Sequence, residues 1–288
     1  MNRTALIAIL TDFGTVDPFL GIMKGVISTI APQATILDIT NQIPPGDIKR
    51  AAINLWQSRP YFPPGTVFLA VVDPGVGTSR KAILMQSGGH TYVGPDNGLF
   101  TFVMEADARV WKISNPAYTL ADPGSTFHGR DIIAPAAAHA ALDVPGPEFG
   151  APVSETVCIS LPRLELQVPG ELSGEILYAD RFGNLLTSLG RFEPTAEGWL
   201  VLNPWLPPLQ DDAVRLRFRP EELTLEIEDD HRLHWVNTFA EISPGDCAFL
   251  VGSSGLIEIA SNRQSAAEKL NLASTDRVIL RTKGEPHG

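Results

Sequence analysis

Thr66-Val67-Phe68-Leu69-Ala70-Val71-Val72-Asp73-Pro74-Gly75-Val76-Gly77-Thr78-Ser79-Arg80-Lys81 is the stretch that decides the fold. Its apolar run through Val72 reads as a strand buried on both faces, the pattern of a parallel sheet. Asp73 sits where that strand ends. Pro74 and Gly75 turn the chain sharply, because proline fixes φ and glycine admits positive φ. Gly77 keeps the turn tight, and Arg80 and Lys81 return positive charge. In open α/β sheets, ligands bind beyond the carboxyl ends of the strands. Asp73 and Arg80 are therefore site candidates, although a surface turn with an exposed ion pair would carry the same signature.

Outward from this strand, the chain alternates. Ala5 to Leu10 reads as a strand, followed by a loop through Phe19. Gly21 to Ile30 reads as a helix with Ile22, Val26, Ile27 and Ile30 on one face. Ala34 to Ile39 is a second strand, and Asp47 caps a helix running through Trp56. A β-α-β-α-β order implies a parallel sheet covered by helices. Next come a hairpin of Ala82 to Gln86 with Thr91 to Val93, the turn cluster Gly94-Pro95-Asp96-Asn97-Gly98, an apolar helix from Leu99 to Met104 and a strand from Arg109 to Ile113. Ser125 to Asp131 opens an Ala-rich helix that runs to about Leu142.

Val144 to Pro162 is rich in proline and glycine and reads as an inter-domain linker. Past Gly170, short strands with turn signals follow at Gly174 to Tyr178, Leu185 to Leu189, Val214 to Phe218, Thr224 to Glu228, Cys247 to Val251, Ile257 to Ala260 and Arg277 to Arg281. They predict a small barrel or sandwich. The expected division is an α/β domain with a mostly parallel sheet over 1–162 and a smaller all-β barrel over 163–288.

A net charge of −11 over 288 residues argues against a nucleic-acid surface, which needs basic clusters. No apolar run reaches membrane-spanning length, and Met1 leads directly into a strand rather than a signal peptide, so the expectation is a cytoplasmic protein without a membrane partner. Cys158 and Cys247 lie far apart and read as reduced core thiols. Nothing has metal-ligand spacing, so no metal is expected.

Asp12 follows the first strand as Asp73 follows the third, at the same sheet edge. A carboxylate there has lone pairs for both hydroxyls of a ribose, or serves as a turn residue. Asp17, beside Pro18, suits a helix cap. His128 precedes a helix, whose dipole disfavours the imidazolium; it suits a neutral base or a structural hydrogen-bond partner. Tyr178-Ala179-Asp180-Arg181-Phe182-Gly183-Asn184 offers an aromatic face, an amide and a carboxylate, which fit a nucleobase or a hairpin turn. Gly252-Ser253-Ser254-Gly255 offers hydroxyls and close backbone approach, which fit a small anionic group or a bare turn.

Six segments, in this order and spacing, carry a resemblance along nearly the whole chain: Leu10-Thr11-Asp12-Phe13-Gly14, Val72-Asp73-Pro74-Gly75-Val76-Gly77, Gly94-Pro95-Asp96-Asn97-Gly98, Phe127-His128-Gly129-Arg130-Asp131, Asp180-Arg181-Phe182-Gly183-Asn184 and Gly252-Ser253-Ser254-Gly255. The chain resembles the S-adenosyl-L-methionine hydroxide adenosyltransferase family, related to the fluorinases and chlorinases. The resemblance implies an α/β domain, a β-barrel domain and a homotrimer whose sites lie between subunits. It implies hydrolysis of S-adenosyl-L-methionine to adenosine and L-methionine, the sulfonium being a substrate and no cofactor being needed. It places a catalytic trio on Asp73, Arg80 and His128, ribose binding on Asp12 and the methionine amine near Asp17. Adenine contacts fall on Asp180, Phe182, Asn184 and Asn262, and the methionine carboxylate on Ser253 and Ser254. The related halogenases carry an extra loop and lack the trio, and this chain shows no obvious insertion between Arg80 and Thr91. A halide-dependent adenosyltransferase and a non-catalytic adenosine- or sulfonium-binding module are the alternative readings.

Overall fold

Four parallel strands form one side of a six-stranded sheet in the first half of the computed structural model, which describes residues 5–168, 170–206, 216–227 and 231–282. Their elements are β1 (Leu6–Thr11), α1 (Phe19–Ile30), β2 (Thr35–Thr40), α2 (Ile48–Ser58), β3 (Val67–Val71), β4 (Ala82–Ser87), β5 (His90–Pro95), β6 (Arg109–Lys112) and α3 (Ala134–Ala141). The sheet order is β2-β1-β3-β5-β4-β6, with β4 antiparallel to both neighbours. The run quoted above is thus a central strand, and all five residues of β3 are buried. Register pairs Leu10 with Ala70 and Thr11 with Val71, so Asp12 and Asp73 leave the sheet at one edge.

Each face of the sheet has its own core. On one, α1 and α3 pack over Ile7, Ile9, Leu69 and Val93. The Ala-rich sequence of α3 lets its backbone approach the strands closely. On the other, α2 and the segment around Leu99, Phe100 and Val103 cover Ala8, Phe68, Ala70 and Tyr92. Phe68 and Tyr92 stack with ring centroids 5.2 Å apart.

Local chemistry explains several boundaries. The Asp47 side chain accepts the Arg50 N–H at 2.9 Å and starts α2, as its N-cap position requires. Gly88 and Gly89 both take positive φ (55° and 77°), the backbone a tight two-residue hairpin needs between β4 and β5.

Four expectations are corrected. The buried stripe of α1 is Leu20, Met23 and Ile27, with Val26 and Ile30 partly covered; Ile22 is 39% exposed, because packing against α3 rotates the helix from its most apolar face. Leu99 to Met104 is a chain of turns, closed by Thr101 N–H to Gly98 and Val103 N–H to Phe100 bonds. Its apolar residues are set by contact with the sheet and not by helical periodicity. Val144 to about Ile159 is no free linker. Gly146 lies against the Trp111 ring, the Val153 N–H bonds to the Val110 carbonyl, and Asp96 and Thr101 take the N–H groups of Val157 and Ile159 at 2.9 and 3.0 Å. Both cysteines are free, but Cys158 is exposed and Cys247 half-buried, so neither is a core residue.

The compact units divide between Ile159 and Ser160. In the second, the strands are β7 (Leu164–Val168), β8 (Glu171–Ala179), β9 (Leu185–Thr187), β10 (Arg191–Pro194), β11 (Leu200–Asn203), β12 (Arg217–Phe218), β13 (Leu223–Glu226), β14 (Arg232–His234), β15 (Cys247–Val251), β16 (Ile257–Ser261) and β17 (Arg277–Thr282), with a short helix α4 (Ala266–Leu270). One antiparallel sheet runs β14-β13-β17-β8-β9-β16-β15, with β7 beside β8, and an isolated parallel bridge between Trp235, next to β14, and Phe249 of β15 brings its two ends together into a nearly closed barrel. Strands β10, β11 and β12 form a separate small sheet. The expected strand ends at 214–215 and 228 lie outside the described residues. Strands β7, β10, β11 and β14 were not anticipated; most are short and lie in weakly alternating sequence. Among the described residues, no helix is long and apolar enough to cross a membrane.

Asp47→Ala should lower the stability of the first unit by about 1 kcal/mol through the lost cap. Urea unfolding followed by tryptophan fluorescence measures this, and an unchanged midpoint would show that α2 starts without it.

Candidate active site

The turn after β3 is built by its own backbone. The Val76 N–H bonds to the Asp73 carbonyl at 3.3 Å, the Thr78 N–H to that of Gly75 at 3.2 Å, and the Arg80 N–H to Thr78 Oγ1 at 3.3 Å. This returns Arg80 to Asp73. Its Nε donates to Oδ1 at 3.2 Å and its Nη2 to Oδ2, a two-point pair in which both side chains are less than a tenth exposed. The same Nη2 lies 3.2 Å from His128 Nδ1, and Nη1 donates to the Lys81 carbonyl at 2.8 Å. Four of the five N–H groups of Arg80 are therefore engaged. A guanidinium only donates, so His128 Nδ1 accepts, and the neutral ring carries its proton on Nε2. Of the three residues predicted as a trio, Arg80 touches both others and joins Asp73 to His128.

His128 reaches this pair from a different loop, held by two devices. Gly77 has φ +79°, and a Cβ there would lie 2.5 Å from the Ser125 carbonyl, so glycine lets the two loops touch. Asp131, buried, accepts the Gly124 N–H at 3.0 Å and two bonds from Arg130, at 2.6 and 3.0 Å. The Arg130 bonds, with help from Gly124, hold the Asp131 carboxyl below the usual carboxylate range despite its burial. Between them, Gly129–Ile133 forms a π-helical turn before α3, a distortion frequent at functional sites. Asn97 fastens the end of β3 by donating to the Val72 carbonyl at 2.9 Å.

Asp73 and His128 line a cavity of about 500 Å³ together with Val76, Phe13, Phe19 and Phe127. The three phenylalanine rings meet edge to face at 5.4 to 6.0 Å, and Arg130 lies over Phe127 at 5.2 Å. This aromatic wall was not singled out from sequence, because its members are separated by 6 and more than a hundred positions. Asp12 lies at the same sheet edge, where its Oδ2 accepts the Gly46 N–H at 2.9 Å. Asp17 is exposed in the loop before α1.

The remaining predicted residues belong to the barrel unit. A second cavity, of about 740 Å³, is lined by Asp180, Phe182, Asn184 and Ser253. Asp180 Oδ1 accepts the N–H groups of Phe182 and Asn184 at 2.8 and 2.9 Å, and Oδ2 accepts the Asn184 amide at 3.1 Å. Asp180 thus shapes its turn and holds Asn184, while Phe182 stays 78% exposed. Ser254 Oγ accepts the Leu256 N–H at 3.5 Å. The Asn262 amide donates to the Ile242 carbonyl at 2.6 Å, so it braces a loop.

Glu258 also lines this second cavity and was missed. It stands on β16, 9% exposed, in a strand whose other members Ile257, Ile259 and Ala260 are also buried. A carboxylate inside an apolar central strand is the signal that could have found it. Burial, reinforced by the charge of Asp180, pushes its carboxyl up to about 6. Among the described residues, no group of three His, Cys, Asp or Glu side chains is placed to hold a metal ion.

The raised carboxyl makes a stability prediction. Folding favours the protonated form, so Glu258 contributes its full stability below pH 4.5 and loses it as pH rises through about 6. Glu258→Gln should therefore be more stable than the parent by about 1–2 kcal/mol at pH 8 and nearly equal at pH 4. Thermal melts at the two pH values measure it; equal offsets at both would show that the charge is not the cause.

The family model described as the SAM hydroxide adenosyltransferase N-terminal domain matches residues 7–150, and that for the C-terminal domain matches 174–279. The chain is 39% identical to a Thermus thermophilus protein named (R)-S-adenosyl-L-methionine hydrolase, over 91% of this chain and 94% of the relative. It is 28% identical to a protein of an Actinoplanes species named fluorinase, over 94% and 95% of the two chains. The crystal structure of a conserved protein from Thermotoga maritima superposes with a TM-score of 0.79 at 30% identity, covering 96% of this chain and 99% of that one. With both domain models matched in order, the chain belongs to the S-adenosyl-L-methionine hydroxide adenosyltransferase family.

Proposed function

We propose that this protein hydrolyses S-adenosyl-L-methionine to adenosine and L-methionine, with Asp73, Arg80 and His128 as its catalytic residues. The observation that carries the reading is that Asp73 and His128 line the first cavity and are joined behind it by Arg80. The hydrolase name carried by the Thermus thermophilus relative supports the same reaction.

The chemistry asks little of the leaving group. Methionine departs from a sulfonium, and its departure neutralises a positive charge, so no acid is required. The nucleophile is the difficulty, since water must be held in line behind C5′ and relieved of a proton. In the trio, His128 Nδ1 faces Arg80 and Nε2 carries the proton, which leaves Asp73 as the acceptor. Each Asp73 oxygen keeps a second lone pair beyond its bond to Arg80. Arg80 holds both partners in register and places positive charge beside the developing hydroxide. His128, with its Nε2–H, orients the water. Base catalysis of this kind contributes roughly 10²–10⁴-fold, and orientation adds to it. Binding of the ribose by Asp12 and of the adenine by Phe182 and Asn184 completes the reading. No cofactor or metal takes part in it.

The expected outcome in ¹⁸O-labelled water with chloride present is label in the 5′-hydroxyl of adenosine. Asp73→Asn and His128→Ala should each lower turnover by at least about 10²-fold while leaving the melting transition cooperative. Unlabelled adenosine, or a 5′-halo nucleoside as main product, would overturn the hydrolase reading; binding without turnover would leave a binding module.

We also propose a homotrimer. The support is that the residues read as ribose-binding and adenine-binding belong to different units of the chain, and family resemblance implies that neighbouring copies complete each site. Light scattering should give three times the 31.1 kDa chain mass. Full activity at monomer mass would refute it.

A further inference from the structure

The motif Gly94-Pro95-Asp96-Asn97-Gly98 closes β5 beside the root of the Asp73 turn. Strands β3 and β5 pair in parallel from Val67 with Thr91 to Leu69 with Val93. The ladder then stops at Pro95, which has no N–H to donate. Asn97 supplies a donor from its side chain instead. Its Nδ2 donates to the Val72 carbonyl at 2.9 Å, with the same offset of 25 positions as the bond from the Thr91 N–H to the Thr66 carbonyl. The side-chain amide thus continues the ladder by one rung, at the peptide that leads into Asp73. Asn97 Oδ1 accepts the Leu99 N–H at 3.3 Å and shapes the turn.

The neighbouring residue holds the other end of the same loop. The Lys81 carbonyl accepts both the Asp96 N–H, at 2.9 Å, and the Arg80 Nη1, at 2.8 Å. Asp96 is itself buried, and its Oδ1 takes the Val157 N–H at 2.9 Å. Two adjacent residues therefore pin the peptides on either side of the 73–80 loop: the one that leads into Asp73 and the one that anchors the Arg80 guanidinium. Between those ends, Pro74 and Val76 to Ser79 are exposed. An exposed loop takes little direction from packing, so its pinned ends and the Gly77 contact with Ser125 set where the ion pair points.

We propose that Asn97 is a positioning residue of the hydrolytic site: by holding the Val72 carbonyl it sets the direction in which Asp73 leaves β3, and through Asp73 the alignment of Arg80, His128 and the attacking water. This deepens the reading of the protein as an S-adenosyl-L-methionine hydrolase and rests on it. The bond governs how water is aimed at C5′ and not how the nucleoside is held, so it is felt in kcat and little in KM.

The test compares the full-length parent with Asn97→Asp and Asn97→Leu. The first keeps an acceptor for the Leu99 N–H and loses only the donor to Val72; the second loses both without adding charge. Each should lower kcat by about ten- to a hundredfold, the cost of a misplacement of about 1 Å. KM, and adenosine affinity by calorimetry, should stay within about threefold of the parent. Parental kcat in either variant would overturn the proposal. Ser87→Ala is the control for stability alone, since it removes two hydrogen bonds at the hairpin end of β4. It should keep the parental kcat; a loss matching that of the Asn97 variants would show that kcat merely follows stability and would overturn the assignment. Nitrogen-15 spectra of the imidazoles give a readout without turnover. In the parent, His128 should show a protonated Nε2 and a bare Nδ1, and the Asn97 variants should lose that preference; its retention in them would overturn the proposal. Loss of the preference, with no adenosine formed even by the parent, would support the positioning role and sink the hydrolase reading alone. Should Asn97→Leu fail to fold, kcat and the His128 spectrum of Asn97→Asp decide the matter in the same way.

Discussion

The buried ion pair of Asp73 and Arg80 is the constraint around which the first unit is arranged. Two charges taken out of water carry a desolvation penalty of several kcal/mol each, and only close geometry with further hydrogen bonds offsets it. The two-point contact supplies the geometry, and the Lys81 carbonyl and His128 Nδ1 supply the further bonds. A pair so bound cannot adjust one member without exposing the other. Its position consequently fixes the loop after β3, the loop carrying His128, and the glycine contact between them. Had Gly77 carried a side chain, its collision with the Ser125 carbonyl would separate the loops and open the trio.

The two cavities show opposite uses of buried charge. In the first, a carboxylate, a guanidinium and a neutral imidazole sum to no net charge. Such a site can receive a sulfonium without a strong trap for it, and can lose that charge as the carbon–sulfur bond breaks. In the second, burial and the nearby charge of Asp180 raise the Glu258 carboxyl. The fold is less stable for holding it above neutral pH, whereas an amide of the same size would relieve the burden.

Rigidity has a parallel explanation. The residues of the trio hang from the ends of sheet strands and from the π-helical turn, each tied to the core by a short-range bond: Asn97 to the Val72 carbonyl, and Asp131 to the Gly124 N–H. The aromatic wall of Phe13, Phe19 and Phe127 joins the loops after β1 and before α3 by ring packing. Water positioning needs groups that do not drift, and these ties provide them.

By itself the sequence determined the alternation of strands and helices in the first half, the cap at Asp47, the glycine hairpin, and the placement of Asp12 and Asp73 at one sheet edge. These are local facts: apolar runs, turn residues and caps act within a few residues, and parallel pairing then aligns the strand ends. The six motifs in their order also determined the family. The tertiary structure alone decided which face of α1 is buried, that Leu99 to Met104 coils into turns, and that the proline-rich stretch after Val144 lies on the first unit. It alone brought Phe13, Phe19 and Phe127 together and placed Glu258 at the wall of the second cavity. In each of these cases the deciding contact comes from residues distant in sequence, and burial against a neighbouring element outweighs what periodicity or composition prefers locally.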